Sequence, residues 1–282
     1  QVLSSLSFCV ELAKEKGGNR VVLYDINDPK LKQHTFEIEA IHLLSKAFDE
    51  KQLVLYRQEI RNITSTGNSQ YFEVLVRIKN KVGEIIPPAI FIDVAEKHGL
   101  IQELDRRVIA LTLKLMNKED GTDKYSINLS GASLADRDII EYTIELFEHY
   151  NIDPKRVCFE ITETSAISHI NSALIFMNKM IDLGCTFALD DFGSGLSSFN
   201  YLQKLPIEVI KIDGAFVKDI DTNPINRIFV ENIKRTADAM GKKTVAEFVE
   251  SQKILSILED IDVDYAQGYH INKPTEWIVK SD

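Results

Sequence analysis

Apolar residues along most of the chain fall into short runs, with longer stretches of a different spacing beside them. Eight of the runs are rich in β-branched and aromatic residues, which is typical of buried strands. In chain order they are "LVLYRQEI", "YFEVLVRI", "KYSINLS", "RVCFEIT", "CTFALDD", "EVIKID", "KTVAEF" and "VDYAQGY". The longer stretches repeat apolar residues at helical spacing. Helices are therefore expected at residues 29–52, 101–117, 138–150, 171–183, 223–240 and 252–259.

This alternation of strands and helices predicts an α/β fold. Eight strands favour a TIM-like (β/α)8 barrel, which fits a chain of 282 residues, and a doubly wound open sheet is the alternative. The first two strands are joined by the short polar turn "RNITSTGNSQ" rather than by a helix. We therefore expect a hairpin there, with the first strand antiparallel to the second.

The first 28 residues do not follow this alternation. They contain one predicted helix, in "SFCVELAKEKGGNR", which Gly17 and Gly18 would end, and one predicted strand, "VVLYDI". One helix and one strand cannot bury a core. We therefore expect residues 1–28 to be the remnant of an upstream domain and residues 29–282 to form the principal domain. The chain begins at Gln1 rather than Met, which suggests a piece of a longer protein.

Composition narrows the function classes. The net charge of -10 argues against binding to duplex nucleic acid, which requires a basic surface. Cys9, Cys158 and Cys185 have neither disulfide nor metal-site spacing, so we expect reduced thiols and a cytoplasmic location. No apolar run reaches the roughly 18 residues of a membrane span, and we expect no membrane segment in this chain.

Polar residues appear near the ends of seven predicted strands that are otherwise apolar. They are Glu73, Asn128, Glu160, the pair Asp190 and Asp191, Lys211, Glu247 and Gln267. Any one of them alone would be explained by a solvated strand end. In an α/β barrel, however, the carboxyl ends of all strands open on one face, where active sites lie. The spacing therefore predicts one site that contains five carboxylates.

Several carboxylates cannot stay ionised side by side without cations. Their oxygen atoms favour hard ions such as Mg²⁺ or Mn²⁺. His270 is the only histidine near a strand end, which argues against zinc and against a Ser-His-Asp triad. Two metal ions about 3.5–4 Å apart need ligands directed at each of them. Asp190 could bind one ion from the end of its strand, and Asp191 could bind the other if the chain turns there. Gly193 and Gly195 would allow that turn.

The motifs around these residues closely resemble the EAL-domain family of cyclic di-GMP phosphodiesterases, over residues 36–277. In the family's order they are "EVL..R", "NLS", "EITET", "DDFGSG", "KID", "AEFVE" and "YAQGY...KP". The resemblance implies a TIM-like barrel with an antiparallel first strand. It also implies hydrolysis of one phosphodiester bond of cyclic di-GMP to linear pGpG, with two Mg²⁺ or Mn²⁺ ions as cofactors.

The resemblance further implies a role for each matching residue. The implied metal ligands are Glu73, Asn128, Glu160, Asp190, Asp191 and Glu247, with Asp191 serving the second metal. The implied catalytic group consists of Glu247, Lys211 for the attacking water, Gln267 as support, and Glu163 to hold the loop after "DDFG". Lys211 would either hold that water or deprotonate it. The implied substrate-binding residues are Gln58, Glu73, Leu75 and Arg77, and the planar fork of Arg77 would contact a phosphate.

Two partners are implied by resemblance alone. The stretch "AKEKGGNRVVLYD" resembles the end of a GGDEF domain, which implies an upstream GGDEF or sensor module in the parent protein. Members of the EAL-domain family often pair near the loop after "DDFG" and the following helix, which implies a homodimer. Leu196, Phe199 and Tyr201 give that segment an apolar character, although burial within one subunit would explain them equally well.

The chain departs from the family pattern at Glu59, Val74, Ile78, Leu196 and Phe248. None of these is an implied metal ligand, but Ile78 and Phe248 bear on the shape of the guanine pockets. Two alternatives stay open. A non-catalytic cyclic di-GMP receptor would share the fold, and a retaining glycosidase could use Glu160 and Glu247 with carboxylates about 5–5.5 Å apart.

Overall fold

The computed structural model describes residues 28–64, 69–119, 121–193 and 201–278, together with a few positions before residue 28. The helix and strand predicted within residues 1–28 lie largely outside the described residues, as do Leu196 and Phe199. The domain boundary at residue 29 therefore stays a prediction. The chain divides into two compact units, one formed by Gln1–Leu53 and Arg77–Leu100 and the other by Val54–Val76 and Ile101–Asp282.

The first unit is built on a long helix, α1, at Pro29–Asp49. The Asp28 side chain caps α1 by accepting a hydrogen bond from the Lys30 backbone at 2.8 Å, and Pro29 at the first helical position needs no such partner. The unit also contains strand β4 (Ile85–Ile86), a 3-10 turn (Pro88–Ile90) and helix α2 (Ile92–Lys97). Lys97 of α2 donates to both oxygens of Glu37 of α1 at 2.7 and 2.8 Å. This contact lowers the pKa of Glu37 to about 2.

The second unit holds the remaining strands and helices. Its strands are β1 (Leu53–Glu59), β2 (Arg61–Asn62), β3 (Tyr71–Lys79), β5 (Lys124–Asn128), β6 (Val157–Thr162), β7 (Thr186–Phe192), β8 (Val209–Ile212), β9 (Lys243–Ala246), β10 (Tyr265–Ala266) and β11 (Thr275–Glu276), of which β1 and β3 extend into the first unit. Its helices are α3 (Ile101–Met116), α4 (Gly131–Leu134), α5 (Asp138–Tyr150), α6 (Glu163–Ser168), α7 (Ile170–Leu183), α8 (Gly214–Val217), α9 (Pro224–Ala239) and α10 (Gln252–Asp260). All eight predicted strands are confirmed.

The sheet runs in the order β11-β1-β3-β5-β6-β7-β8-β9-β10-β2. Each neighbouring pair from β3 to β10 is parallel. Strand β2 follows β1 after Ile60 and pairs antiparallel with β10, while β1 lies beside β3. The first strand thus closes the sheet between its two ends. This topology is a (β/α)8 barrel with an antiparallel first strand, as predicted.

An aromatic cluster fixes one side of this sheet. Phe159 on β6 and Phe187 on β7 are fully buried, with ring centroids 5.7 Å apart. The Phe176 ring of α7 lies 5.4 Å from Phe159 and 6.0 Å from Phe187. Buried aromatic rings combine a large apolar area with a preferred packing geometry. The cluster therefore holds α7 against the strand pair that carries Glu160 and Asp190.

No helix among the described residues has both the length and the apolar character needed to cross a membrane. Cys158 and Cys185 are buried free thiols.

Asp264, in the turn before β10, ties the last strands together. It is only 4% exposed, and its carboxylate accepts hydrogen bonds from Lys234 at 3.1 Å and Lys243 at 2.6 Å. The backbone and hydroxyl of Thr244 each donate to it at 3.0 Å. Burial opposes the charge, but these donors outweigh it and lower the pKa of Asp264.

Replacing Asp264 with asparagine should lower the free energy of unfolding at pH 7 by about 2–3 kcal/mol, because charged hydrogen bonds to a buried group are lost. The pKa of Asp264 is depressed in the folded state, so its contribution is present above the unfolded pKa and is lost as the pH falls through the folded value. Urea unfolding at pH 7 and pH 3 should show the deficit shrinking in acid. Asp238→Asn, at the exposed end of a Lys234 ion pair, is the control, and an equal loss in both variants would contradict this role.

Candidate active site

A buried lysine lies among four carboxylates in the second unit. Lys211 on β8 is 1% exposed, and its Nζ lies 2.6 Å from Glu160, 2.8 Å from Glu247, 3.1 Å from Asp190 and 3.5 Å from Glu73. The carboxylates come from β6, from the residue after β9, from β7 and from β3. The predicted convergence of these polar residues is therefore present, but the placement of Glu73 at a strand end is wrong, because it is the third residue of β3 (Tyr71–Lys79). We call these five residues the acidic cluster.

Strand register accounts for this convergence. Asn128 pairs with Glu160 in the β5–β6 ladder, and Thr162 pairs with Asp190 in the β6–β7 ladder. In the β8–β9 ladder Ile212 pairs with Ala246, the residue before Glu247. Parallel strands in this register bring their last residues to the same edge of the sheet. The register of the parallel strands thus accounts for how Glu160, Asp190 and Glu247 come together.

The acidic cluster carries a charge that its own lysine cannot balance. Four carboxylates around one ammonium leave a formal sum of -3 when all are ionised. Burial raises the pKa of Glu160 to about 8 and that of Glu247 to about 7, although Lys211 opposes both shifts. For Lys211, burial acts against the charge, but the surrounding carboxylates hold its pKa well above its usual range. The cluster is therefore an environment in which additional cations are stabilised.

The two adjacent aspartates sit on an irregularity in strand β7. The register against β8 shifts between Leu189 and Phe192, and Asp191 has a left-handed backbone with φ 54°. Strand β7 continues to Phe192, so the expectation that it ends at Asp190 is wrong, whereas Gly193 has the left-handed backbone of the expected turn, with φ 101°. Gly195 lies outside the described residues. The register shift and the left-handed backbone at Asp191 fit a β-bulge, which bends the strand before that turn. As a result one oxygen each of Asp190, Asp191 and Glu247 lies within 4.8 Å of the others.

The donor set fits hard divalent cations. Glu160 Oε1 is buried without a hydrogen-bond partner, and Asp190 Oδ1 also makes no hydrogen bond although it lies 3.1 Å from the lysine nitrogen. Buried carboxylate oxygens without donors are costly unless a cation binds them. Partial desolvation of the neighbouring Asp191 carboxylate raises its pKa, and the charge of Asp190 raises it further. All of these ligands are oxygen atoms, which Mg²⁺ and Mn²⁺ prefer.

Amide side chains hold Glu73 in place. One oxygen of Glu73 accepts from Asn128 at 2.8 Å, and the other accepts from Gln267 at 2.6 Å. The Gln267 amide also donates to Gln58 at 3.1 Å, and Gln58 in turn donates to the Asn272 backbone carbonyl at 2.8 Å. The structure thus connects Gln58, Gln267 and Asn128 to the acidic cluster. Each of them was expected in the site from its motif.

A cleft of about 340 Å³ opens beside the acidic cluster. It is lined by Gln58, Glu73, Leu75, Glu247, Phe248, Glu250, Gln267, Gly268 and Tyr269. Phe248 has a left-handed backbone with φ 53°, which is rare for a bulky residue and points to a local constraint. Its ring packs on Gly214, where an added Cβ would lie 2.0 Å from it, and the Lys218 ammonium lies 4.1 Å from the ring centroid. Phe248 and Tyr269 remain 47% and 61% exposed, so aromatic surface is available in the cleft.

The EAL domain profile matches residues 42–274, which is more than four fifths of the chain and includes every residue of the acidic cluster. The chain belongs to the EAL domain family. The (β/α)8 topology and the position of the cluster at the strand ends agree with this assignment. It also leaves the glycosidase alternative without support.

Curated relatives of this EAL domain include the cyclic di-GMP phosphodiesterase PdeB of Shewanella oneidensis, which is 39% identical over 277 residues. That alignment covers 97% of this chain and 32% of the relative. The probable cyclic di-GMP phosphodiesterase PdeA of Escherichia coli is 35% identical over 245 residues, 86% of this chain and 33% of the relative. The chain therefore spans about one third of the length of these two relatives.

Among solved structures, the EAL domain of FimX from Pseudomonas aeruginosa bound to c-di-GMP is similar to this chain, with a TM-score of 0.79 and 29% identity. The alignment covers 86% of this chain and 99% of that chain. The PaMucR phosphodiesterase in complex with c-di-GMP aligns with a TM-score of 0.78 and 25% identity, covering 84% and 97% of the two chains.

Two residues that line the cleft of this EAL domain were not predicted from the sequence, and the predicted role of a third residue, Arg77, is not tested. Tyr269 and Glu250 line the cleft but were not singled out, although both lie inside quoted motifs and Tyr269 follows Gln267 by two positions. Aromatic residues next to a strand-end glutamine are the signal that would have found Tyr269. Arg77 belongs to the first unit, and its role stays a prediction.

Proposed function

We propose that this EAL domain hydrolyses one phosphodiester bond of cyclic di-GMP to linear pGpG, using two divalent cations, Mg²⁺ or Mn²⁺. The observation that carries the proposal is the acidic cluster, with its excess negative charge and its unsatisfied oxygens, beside a cleft. A substrate with two phosphates needs cations to approach such a surface. The relatives named as cyclic di-GMP phosphodiesterases support the choice of substrate.

In this proposal the metal ligands are Glu73, Asn128, Glu160, Asp190, Asp191 and Glu247. When bound, the metals would lower the pKa of a water molecule and stabilise charge on the phosphate. Lys211 has three donor hydrogens and four carboxylate neighbours, so we assign it the task of holding oxygen atoms, including the attacking water. Gln267 and Gln58 keep Glu73 oriented. Phe248 and Tyr269 offer ring faces on which a guanine base can stack.

Incubation with cyclic di-GMP and Mg²⁺ or Mn²⁺, followed by chromatography for pGpG, tests this function. A parallel titration measures the binding of cyclic di-GMP in EDTA. Formation of pGpG only when metal is present supports hydrolysis. Binding without any pGpG would favour the non-catalytic receptor instead, and the absence of both would overturn the proposal.

Replacing Mg²⁺ by Ca²⁺ should leave metal binding intact but reduce turnover of cyclic di-GMP by at least about tenfold. Ca²⁺ accepts more ligands at longer distances and in looser geometry, so the attacking water would be misplaced. Initial rates with each ion at saturating concentration provide the measurement, and competition of Ca²⁺ against Mg²⁺ shows that it binds. Equal rates with the two ions would contradict the proposed metal mechanism.

We also propose that the domain forms a homodimer through helix α9, as the family resemblance implies. Ile225, Ile228 and Phe229 are 62%, 55% and 49% exposed and recur at helical spacing, so α9 presents an apolar face. Light scattering at high protein concentration should give twice the mass of one chain, and Ile228→Glu should reduce it to the mass of one. Ile278→Glu, at a separate exposed apolar residue, is the control. A single-chain mass for the unaltered protein would count against the dimer.

The chain's place in its parent protein is likewise a proposal. We propose that residues 29–282 form the EAL domain and that residues 1–28 end an upstream GGDEF-like domain. The greater length of the curated relatives supports the presence of further domains. The buried free thiols of Cys158 and Cys185 support a cytoplasmic location.

A further inference from the structure

Glu163 connects two backbone segments that are distant from it in the sequence. It is the first residue of α6 and is only 2% exposed. One carboxylate oxygen accepts a hydrogen bond from the backbone of Gly193 at 3.1 Å, and the other accepts from the hydroxyl of Tyr201. Gly193 and Tyr201 lie on either side of residues 194–200 in the sequence. Glu163 therefore links Gly193 to Tyr201.

The Gly193 contact bears directly on the aspartates of the acidic cluster. Gly193 follows Asp191 by two residues and has a left-handed backbone with φ 101°. An added Cβ at Gly193 would lie 2.9 Å from the ring of Phe216, so the backbone can hardly shift towards that side. Thr162, next to Glu163, pairs with Asp190 in the sheet. Glu163 thus follows the residue that pairs with Asp190, and its carboxylate holds the backbone at Gly193, two residues after Asp191.

Tyr201 donates a hydrogen bond from its hydroxyl to one oxygen of the buried Glu163 carboxylate. Without the hydroxyl, one buried carboxylate oxygen would lose its donor, which is costly. Tyr201 is followed by the fully buried Leu202, which anchors the backbone next to the tyrosine ring. Its hydroxyl keeps the carboxylate turned so that the other oxygen meets Gly193.

We infer that Tyr201 is a positioning residue of the metal site, acting through Glu163 and Gly193 on Asp191. The inference rests on the proposed function, since it assigns the purpose of the contact to metal binding at that site. It gives Tyr201 a role within one chain, where the apolar character of its segment had left a dimer interface and burial within one subunit equally open. The part that touches the Glu163 carboxylate is the polar hydroxyl.

The test removes only the hydroxyl. In Tyr201→Phe we expect Mn²⁺ binding, measured by titration calorimetry without substrate, to weaken by about tenfold or more, as expected for a lost charged hydrogen bond. The Mg²⁺ concentration for half-maximal turnover of cyclic di-GMP should rise by a similar factor, with little change in KM at saturating metal. Tyr142→Phe is the matched control, because its hydroxyl donates to the Arg106 carbonyl at 3.2 Å on a remote helix.

A second variant distinguishes positioning from packing. Glu163→Gln should weaken Mn²⁺ binding too, and the double variant with Tyr201→Phe should be no worse than Glu163→Gln alone, because both changes break one chain of contacts. Superimposable Mn²⁺ isotherms for the unaltered protein and Tyr201→Phe would overturn the inference, as would fully additive losses or an equal loss in Tyr142→Phe. Mn²⁺ binding that depends on Tyr201 without any pGpG formation would sink the proposed function but keep the positioning role.

Discussion

Replacing Asp190 with asparagine should reduce turnover of cyclic di-GMP by about 10²–10⁴-fold, the range seen when one charged group of a catalytic centre is removed. Asp190 contributes a buried oxygen that makes no hydrogen bond, and it lies within 4.8 Å of oxygens from Asp191 and Glu247. Asparagine keeps the shape of the side chain but removes the negative charge that a hard cation requires. Single-turnover rates at saturating Mg²⁺ provide the measurement.

The matched control for this loss is Asp221→Asn, because Asp221 forms an ion pair with the exposed Lys253 outside the acidic cluster. The control should retain its rate within about a factor of two. Far-ultraviolet circular dichroism should show that both variants keep the fold. A rate for Asp190→Asn within tenfold of the unaltered enzyme would remove Asp190 from the metal ligands.

Replacing Lys211 with methionine should abolish turnover and also destabilise the protein when metal is absent. The ammonium is buried among four carboxylates, and its removal leaves their repulsion uncompensated. Breaking a buried ion pair from one side costs about 3–5 kcal/mol in unfolding free energy. Lys253→Met removes an exposed ion pair and should cost about 1 kcal/mol or less.

Metal should separate the two effects of Lys211→Met. Divalent cations can replace the lost positive charge, so saturating Mg²⁺ should recover much of the melting temperature relative to EDTA. Turnover should not recover, because the donor that we assign to the attacking water is still missing. Recovery of both stability and rate in Mg²⁺ would mean that Lys211 serves only to balance charge.

The strands and the convergence of the site could be predicted because both depend on local pattern. Apolar runs with β-branched and aromatic residues gave all eight principal strands, and the short polar link after Ile60 gave the antiparallel first strand. Once strands are parallel, their ends meet at one edge whatever the loops do. Glu160 and Lys211 could therefore be expected to lie close together.

Other features depend on tertiary contacts that no local pattern encodes. The bulge at Asp191 and the left-handed backbone at Phe248 are conformations that these residue types rarely adopt alone. Packing against neighbouring strands and against Gly214 is what makes them acceptable. The hydrogen bond between Tyr201 and Glu163 joins residues that are 38 positions apart. The apolar residues around Tyr201 indicate burial and give no sign of this polar contact.

The antiparallel first strand has a consequence for how the domain folds during its synthesis. Strand β1 and its extension β2 pair with β11 and β10, the last strands of this domain to be synthesised. Gln58 and Gln267, whose amides meet in the site, are 209 residues apart, which corresponds to about 10–40 s of synthesis at typical rates. During that interval the first strand lacks its final neighbours and presents an open edge. The nascent chain therefore gains its catalytic centre only when translation of the domain is almost complete, and a prematurely terminated chain would expose β1 to aggregation.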